Sequence, residues 1–209
     1  MNRVAVLGGG LMGSGIAEAV ARAGVEVVVR DVDGTAVAGA RRRIEGSLLE
    51  AVSSGKLEGE EADATLARIE LTDELDGVGG ADLVVEAVPE NAELKVGILA
   101  QVAGIVSERA LIASNTSSIP IAQLAAGIPH PERVLGLHFF SPVPVIPLVE
   151  IVVAFDTSEE TVAAATEFTE RLGKKPIVTK DRSGFIVNML LVPYLMGAVR
   201  MYEEGFATR

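Results

Sequence analysis

The chain has 209 residues, a formal net charge of −11, two histidines and no cysteine. That charge argues against a nucleic-acid partner, which needs a basic patch. The lack of cysteine excludes disulfides, thiolate metal sites and a thiol nucleophile, and no metal site is expected. The sequence is 49% apolar, mostly Ala, Val, Leu and Ile, with 22 glycines and no tryptophan. This suits a tightly packed α/β sheet in one large domain, or one domain plus a fragment.

The N-terminus, Met1-Asn2-Arg3-Val4, enters a strand-like run at once, which leaves no room for a signal peptide. Arg3 to Leu7 reads as a strand, Gly8-Gly9-Gly10-Leu11-Met12-Gly13 as a turn, and Ser14 to Ala23 as a helix ended by Gly24. Val25 to Val29 is a second strand that reaches Asp31. The order strand, glycine turn, helix, strand, acid is that of a dinucleotide site. Gly8 permits the tight turn, Gly10 lets the backbone approach a pyrophosphate, and Gly13 lets helix and strand pack closely. The helix N-terminus offers free N–H groups to the phosphates. Asp31 stands where a carboxylate holds the adenine ribose hydroxyls, which favours NAD over NADP, and Arg30 beside it weakens that preference slightly.

Val37 to Ser53 is predicted as a long helix with apolar positions Val37, Ala40, Ile44, Leu48 and Val52. Gly55 breaks it, and Glu58 to Ala67 returns as a second helix, so a helical hairpin follows strand two. Arg41, Arg42, Arg43 and Lys56 make the hairpin locally basic. They read either as a solvated face or as a contact with a phosphorylated substrate. Next come a short strand at Ile69 to Thr72, a buried strand from Ala81 to Val88 ending at Pro89-Glu90, and a helix from Glu93 to Val106 bearing Lys95. The strand Ala110 to Ala113 ends in a polar cluster, Ser114-Asn115-Thr116-Ser117-Ser118, and Ser118 reads as a turn residue or helix cap.

The apolar run Val134 to Leu137 leads into His138, and a bend with Pro142, Pro144 and Pro147 leads into Leu148-Val149-Glu150-Ile151-Val152. Histidine is the one side chain whose two protonation states are both accessible near neutral pH. The bend lets the next segment fold back and carry Glu150 towards His138, as in general acid–base sites. Otherwise the two are a strand-end histidine and a rim glutamate that never meet. In open α/β sheets ligands bind beyond the carboxyl ends of the strands, so Glu90, the Ser/Asn/Thr cluster and His138 are expected along one edge.

Ser158 to Leu172 is a helix capped by Ser158 or Thr157, Gly173 ends it, and Pro176 to Thr179 is the last strand. Gly184 to Glu204 reads as one helix of 21 residues, kinked at Pro193 and apolar on too many faces to stand alone. Its most apolar stretch, Ile186 to Met201, is interrupted by Asn188, Pro193 and Arg200 and is shorter than the ~20 residues of a membrane span. The chain is expected to be soluble and cytoplasmic, with no membrane partner.

Several blocks in order resemble the L-3-hydroxyacyl-CoA dehydrogenase family, above all its free-standing bacterial 3-hydroxybutyryl-CoA members. They are Gly8 to Ala17, Val85-Glu86-Ala87-Val88-Pro89-Glu90, Ser114 to Ser118, Gly136 to Pro142, Pro147 to Glu150, and Asp181 to Asn188. The resemblance implies an α/β fold: a Rossmann-type, doubly wound, mostly parallel sheet with an inserted helical hairpin, over residues 1–183. The first helix of an all-α C-terminal domain, for substrate and dimerisation, then occupies 184–209. It implies reversible NAD-dependent oxidation of the 3-hydroxyl of an (S)-3-hydroxyacyl-CoA, such as 3-hydroxybutyryl-CoA.

In that reading His138 is the base, Glu150 orients it, and Ser117 and Asn188 hold the substrate oxygens. Gly8, Gly10, Leu11, Met12, Gly13, Asp31, Glu90, Lys95, Asn115, Ser117 and Ser141 are cofactor positions. Ser47 matches a coenzyme A contact, with Lys56 a phosphate partner near it. Two features depart from the family. Many members carry Asn where this chain has the shorter Ser141. The family also continues for about half a domain more, with helices that close the acyl site and form a homodimer. Two further readings follow: an NAD-binding fragment without competent catalysis, and the same chemistry on an acyl-carrier-protein thioester.

Overall fold

Short runs rich in Val, Leu and Ile pair edge to edge because they are apolar on both sides, and helices then cover both faces. The computed structural model describes residues 1–208, and Arg209, the last residue of the expected second unit, lies outside them. In chain order the elements are β1 (Arg3–Leu7), α1 (Leu11–Arg22), β2 (Glu26–Arg30), α2 (Gly34–Ser53), α3 (Gly59–Ala67), β3 (Ile69–Thr72), β4 (Leu83–Glu86) and α4 (Ala92–Ala103). They continue with β5 (Leu111–Ser114), α5 (Ile121–Ala125), β6 (Val134–Phe139), β7 (Leu148–Val153), α6 (Glu159–Arg171), β8 (Lys175–Lys180) and α7 (Val187–Glu203).

The described strands form one eight-stranded sheet in the order β3-β2-β1-β4-β5-β6-β7-β8. Its pairs are parallel except β6 with β7. The chain winds outward from β1 to β3 and then returns to lay β4 on the other side of β1. The sheet's topological switch point therefore lies between β1 and β4, where a doubly wound sheet opens a crevice. Alternation along β1 sends Val4 and Val6 to one core, with Ile16, Val20, Ile44, Leu48 and Phe168. It sends Ala5 and Leu7 to the other, with Leu99, Val102, Ile121 and Leu124.

Several predicted boundaries move, each for a local reason. Helix α1 starts at Leu11 rather than Ser14, since the Gly10 carbonyl already accepts the Ser14 N–H at 2.9 Å. Helix α4 ends at Ala103, where Gly104 caps it, and β4 is confined to Leu83–Glu86. Helix α5 was not expected. Its first N–H groups, those of Ile121 and Ala122, are capped from far along the chain by Asp181, at 3.0 and 2.8 Å. Helix α7 begins at Val187, not Gly184, because Gly184 (φ 80°) and Phe185 (φ 46°) are left-handed. Pro193 sits inside α7, and none of that helix's residues is buried. No helix among the described residues is long and apolar enough to cross a membrane.

Candidate active site

The glycine turn is dictated by contact distances. A Cβ on Gly13 would lie 1.7 Å from the Gly8 carbonyl oxygen, and Gly8 itself has φ +91° with the Ala87 carbonyl against it. A Cβ on Gly10 would meet nothing within 4 Å, so the backbone there is open to a ligand. The intervening peptide is clamped from both sides. Gly9 N–H donates to Asp31 Oδ2 at 2.7 Å, and Gly9 C=O accepts from Ser14 Oγ at 2.8 Å and Arg43 Nη1 at 3.1 Å. Arg43, exposed like its arginine neighbours, also braces the turn from α2.

A cleft of about 580 Å³ opens beside this turn, lined by Gly8, Gly10, Leu11, Met12, Asp31 and Val32 on one side and Ala87 to Pro89, Leu94 and Ile98 on the other. Backbone open at Gly10, a helix N-terminus and an acid at the end of β2 fit a dinucleotide. Each Asp31 oxygen takes one backbone N–H, from Gly9 or Val32. Each keeps a second lone pair that a ribose hydroxyl can use.

A second cavity of about 350 Å³ adjoins the first, sharing Met12, Ala87 and Val88, and is completed by Glu90, Lys95, Asn115, Ser117, His138, Phe139, Phe140 and Ser141. Under its floor lies a buried charge network. Lys95 Nζ, 1% exposed, donates to Glu86 Oε1 (2.6 Å) and the Val88 carbonyl (3.1 Å) and pairs with Glu90 Oε2 (3.3 Å). Three acceptors match the three protons of an ammonium. The geometry thus commits Lys95 to holding its neighbours. Glu86 Oε2 accepts from Ser114 Oγ at 2.6 Å. Glu90 Oε1 accepts from Thr116 Oγ1 (2.6 Å), Ser117 N (3.1 Å) and Ser118 Oγ (3.0 Å). Burial pushes the Glu90 carboxyl up, but the Thr116 hydroxyl, the Lys95 ammonium, the Ser118 hydroxyl and the Ser117 N–H outweigh it and hold it below its ordinary value. Ser118, read as a turn residue or cap, is thus a ligand of Glu90. Asn115 Oδ1 accepts the Phe139 N–H at 2.9 Å, tying this loop to β6.

His138 and Glu150 do meet. The proline bend reverses the chain so that β7 runs antiparallel to β6, with His138 directly opposite Glu150. Their Nδ1 and Oε2 atoms lie 2.6 Å apart, and both residues are buried. The other carboxylate oxygen, Oε1, accepts the N–H groups of Ile186 and Val187, each at 2.9 Å. Glu150 is therefore the acceptor on both sides, and Nδ1 is the ring nitrogen that carries the proton. Phe140 and Phe185 stand beside the imidazole, with centroids at 4.5 and 5.4 Å. The bend is held by buried Lys174, whose Nζ donates to the carbonyls of Val143 (2.6 Å) and Ile146 (2.9 Å). Burial, then the nearby Arg22, push that ammonium below its usual pKa.

Other expected site residues lie apart from this cavity. Ser47 on α2 faces Glu18 of α1, where burial raises the carboxyl while the Ser47 hydroxyl and Arg22 oppose the rise. Lys56 lines a separate hollow of about 350 Å³ with Arg22, Glu61 and Arg68. Asn188 stands in the first turn of α7, two residues beyond Ile186. Among the described residues, no group of three or more His, Asp or Glu side chains is placed to hold a metal ion.

Residues 3–182 match the family model described as 3-hydroxyacyl-CoA dehydrogenase, NAD binding domain. The chain belongs to the 3-hydroxyacyl-CoA dehydrogenase family. The "3-hydroxybutyryl-CoA dehydrogenase" of Mycobacterium tuberculosis is 50% identical over 210 residues, covering all of this chain and 73% of that relative. Crystal structures tell the same story. M. tuberculosis FadB2 superposes with a TM-score of 0.98 at 50% identity, over 100% of this chain and 74% of that one. The (S)-3-hydroxybutyryl-CoA dehydrogenase PaaH1 from Ralstonia eutropha gives 0.96 at 41% identity, with the same coverage. NAD is the cofactor of the family domain that the sheet builds. Within that fold, Glu86 and Lys174 carry structure around the cavity to which the sequence assigns no role, while Ser114 and Thr116, expected there only as part of a polar cluster, hold Glu86 and Glu90. The only available signal was their type: charged or hydroxyl residues inside otherwise apolar strands and turns.

Proposed function

We propose that this chain catalyses the reversible, NAD-dependent oxidation of the 3-hydroxyl of an (S)-3-hydroxyacyl-CoA, with a short acyl chain such as 3-hydroxybutyryl. The observation that carries the reading is the 2.6 Å contact of His138 Nδ1 with Glu150, in a cavity continuous with the dinucleotide cleft. With Nδ1–H held by Glu150, the Nε2 lone pair is free for the substrate hydroxyl. Bound NAD supplies the hydride acceptor, and the chain's own residues handle the proton. His138 takes it as C3 becomes a carbonyl, and Glu150 stabilises the imidazolium that forms. Ser117 and Asn188 hydrogen-bond the substrate oxygens. Gly8, Gly10, Leu11, Met12, Gly13 and Asp31 hold the adenosine and pyrophosphate. Glu90, Lys95, Asn115, Ser117 and Ser141 shape the nicotinamide side.

Residues 1–183 act as the nucleotide-binding unit and 184–208 as the start of an acyl-side helical unit. The family match ending at residue 182 supports that division. Ser47 and Lys56 on the hairpin receive the coenzyme A moiety. The family's homodimer and a cytoplasmic location complete the proposal.

The test is loss of NADH absorbance with acetoacetyl-CoA, using His138→Gln as control. Turnover that disappears in the variant, with NADH binding retained, is expected; turnover that survives removes His138 as the base. Acetoacetyl on acyl carrier protein, assayed beside the CoA ester, decides the carrier.

A further inference from the structure

We propose that the first turn of α7, seated by Phe185, is the third member of the His138–Glu150 pair, and that Phe185 is a positioning residue for the base. The proposal rests on the catalytic reading of His138 given above and adds what fixes that base in place.

Glu150 has two oxygens and both are committed. Oε1 accepts the N–H groups of Ile186 and Val187, and Oε2 faces His138 Nδ1. A carboxylate held at both ends cannot rotate about its terminal bond, so the imidazole that it grips keeps one tautomer and one ring plane. The two N–H donors are groups that a helix leaves unpaired at its start. They point at Glu150 only because the chain turns sharply before α7. That turn is made by Gly184 at φ 80° and Phe185 at φ 46°.

Glycine adopts the left-handed region freely, whereas a bulky aromatic residue there is an outlier. Such a conformation persists where the surroundings over-determine it, and such sites cluster around function. Here the surroundings are visible. Phe185 is 3% exposed, its ring meets the His138 ring edge-on at 5.4 Å, and its N–H donates to the Arg182 carbonyl at 2.8 Å. Phe140 also stands beside the imidazole, with its centroid at 4.5 Å. One side chain thus performs two tasks: its ring walls the histidine, and its backbone delivers the next two N–H groups to the histidine's partner.

The charged groups around the imidazole are Glu150 behind it and Glu90 and Lys95 across the cavity. The first turn of α7, Val187-Asn188-Met189-Leu190, adds no charge, so its influence comes through geometry. The consequence is mechanical. Asn188, on the acyl side, and the lone pair of His138 are set by the same turn. Any displacement of α7 releases Glu150 and loosens the base.

The experiment uses the 209-residue chain labelled with ¹⁵N-histidine. A His130→Gln background leaves His138 as the single signal, since the chain has two histidines. In the parent, the neutral ring is expected to show one tautomer, protonated at Nδ1. Phe185→Ala is expected to give mixed tautomers and to lower turnover on the order of 100-fold, the scale of a misplaced catalytic group, with NADH binding kept. Phe185→Leu keeps an apolar plug without the ring edge, and a partial mixture with on the order of tenfold loss is expected. NADH binding reports folding, and if the alanine variant fails to bind, the leucine variant decides alone. An unchanged single tautomer in the folded variants overturns the proposal. Altered tautomers with undiminished turnover instead sink the reading of His138 as the base and leave the seating role standing.

Discussion

Replacing Glu150 with glutamine changes one atom and reverses the polarity of one hydrogen bond. In the native arrangement Oε1 accepts two backbone N–H groups and Oε2 accepts from His138 Nδ1. A glutamine must choose which end carries its NH₂. Turned towards Ile186 and Val187, the NH₂ would face two donors in a buried site, and each unsatisfied donor costs about 1–3 kcal/mol. The amide oxygen therefore stays on the helix and the NH₂ faces Nδ1. Nδ1 must then accept, so the ring proton moves to Nε2. The nitrogen in the cavity now presents a proton where the substrate hydroxyl needs a lone pair. The same acid-to-amide change behind the histidine of Ser-His-Asp proteases lowers kcat by about 10⁴, or about 5 kcal/mol at 1.36 kcal/mol per decade. A fall of about 10³ to 10⁴ is expected for Glu150→Gln by initial rates of NADH consumption with acetoacetyl-CoA, at unchanged NADH affinity. Raising the pH should not restore it, because the defect is a tautomer and not a protonation state. A folded, NADH-binding variant that loses less than about tenfold would refute the tautomer argument.

Two other perturbations probe the scaffold. In Gly13→Ala the new Cβ meets the Gly8 carbonyl at 1.7 Å, and because that neighbour is backbone the turn itself must move. A loss of about 1–3 kcal/mol, or about 2–12 °C in Tm, is expected together with weakened NADH binding. Wild-type melting and binding would show that the turn is softer than its contacts imply. For Glu90 the sign follows from a carboxyl held below its ordinary value of 4.5 by the Thr116 and Ser118 hydroxyls, the Ser117 N–H and Lys95. Its contribution to stability is present above that value and is lost as pH falls through the depressed one. Urea midpoints of wild type and Glu90→Gln should therefore converge on acidification below about 4.5, and a constant gap at all pH values would contradict the assignment.

The parts of this site legible in the sequence are those with one physical solution. Gly8, Gly10 and Gly13 followed by Asp31 admit few readings, since each glycine answers a separate steric demand. The bend with Pro142, Pro144 and Pro147 is legible as a reversal, and the eight residues between β6 and β7 are too few for a parallel crossover but enough for an antiparallel return. Other features were hidden because their partners are distant in sequence. Asp181 caps α5 across sixty positions, and Arg43 crosses from the hairpin to the Gly9 carbonyl. Lys95 shows the limit from the other side. Its place on the helix after Glu90 is legible in the sequence, but the commitment of its whole ammonium to Glu86, Val88 and Glu90 is not. The helix expected from Gly184 fails at its first turn for the same reason. Apolar spacing continues through Phe185, whereas the left-handed backbone there goes with contacts distant in sequence: its ring beside His138 and the next two N–H groups on Glu150.

The one antiparallel pair among the described strands is what joins proton chemistry to a nucleotide-binding sheet. From β3 to β6 the strands are parallel, and each ends in a loop at the same edge, which suits gathering ligand-binding loops around a cofactor. Such neighbours are separated by long crossovers, so a strand-borne histidine would meet its carboxylate only through a distant connection. Reversing β7 puts Glu150 directly opposite His138, at a spacing where cross-strand side chains touch. Two positions away along the same pair, Gly136 faces Val152, and a Cβ on it would lie 2.7 Å from the Val152 Cβ and 3.0 Å from Ile121 of α5. Glycine there lets α5 close over the strand pair, and α5 is in turn capped by Asp181, a few residues before the turn that aims Ile186 and Val187 at Glu150. The base is thus fixed from three directions by backbone geometry: strand register, the seat of a short helix, and the first turn of the helix beyond.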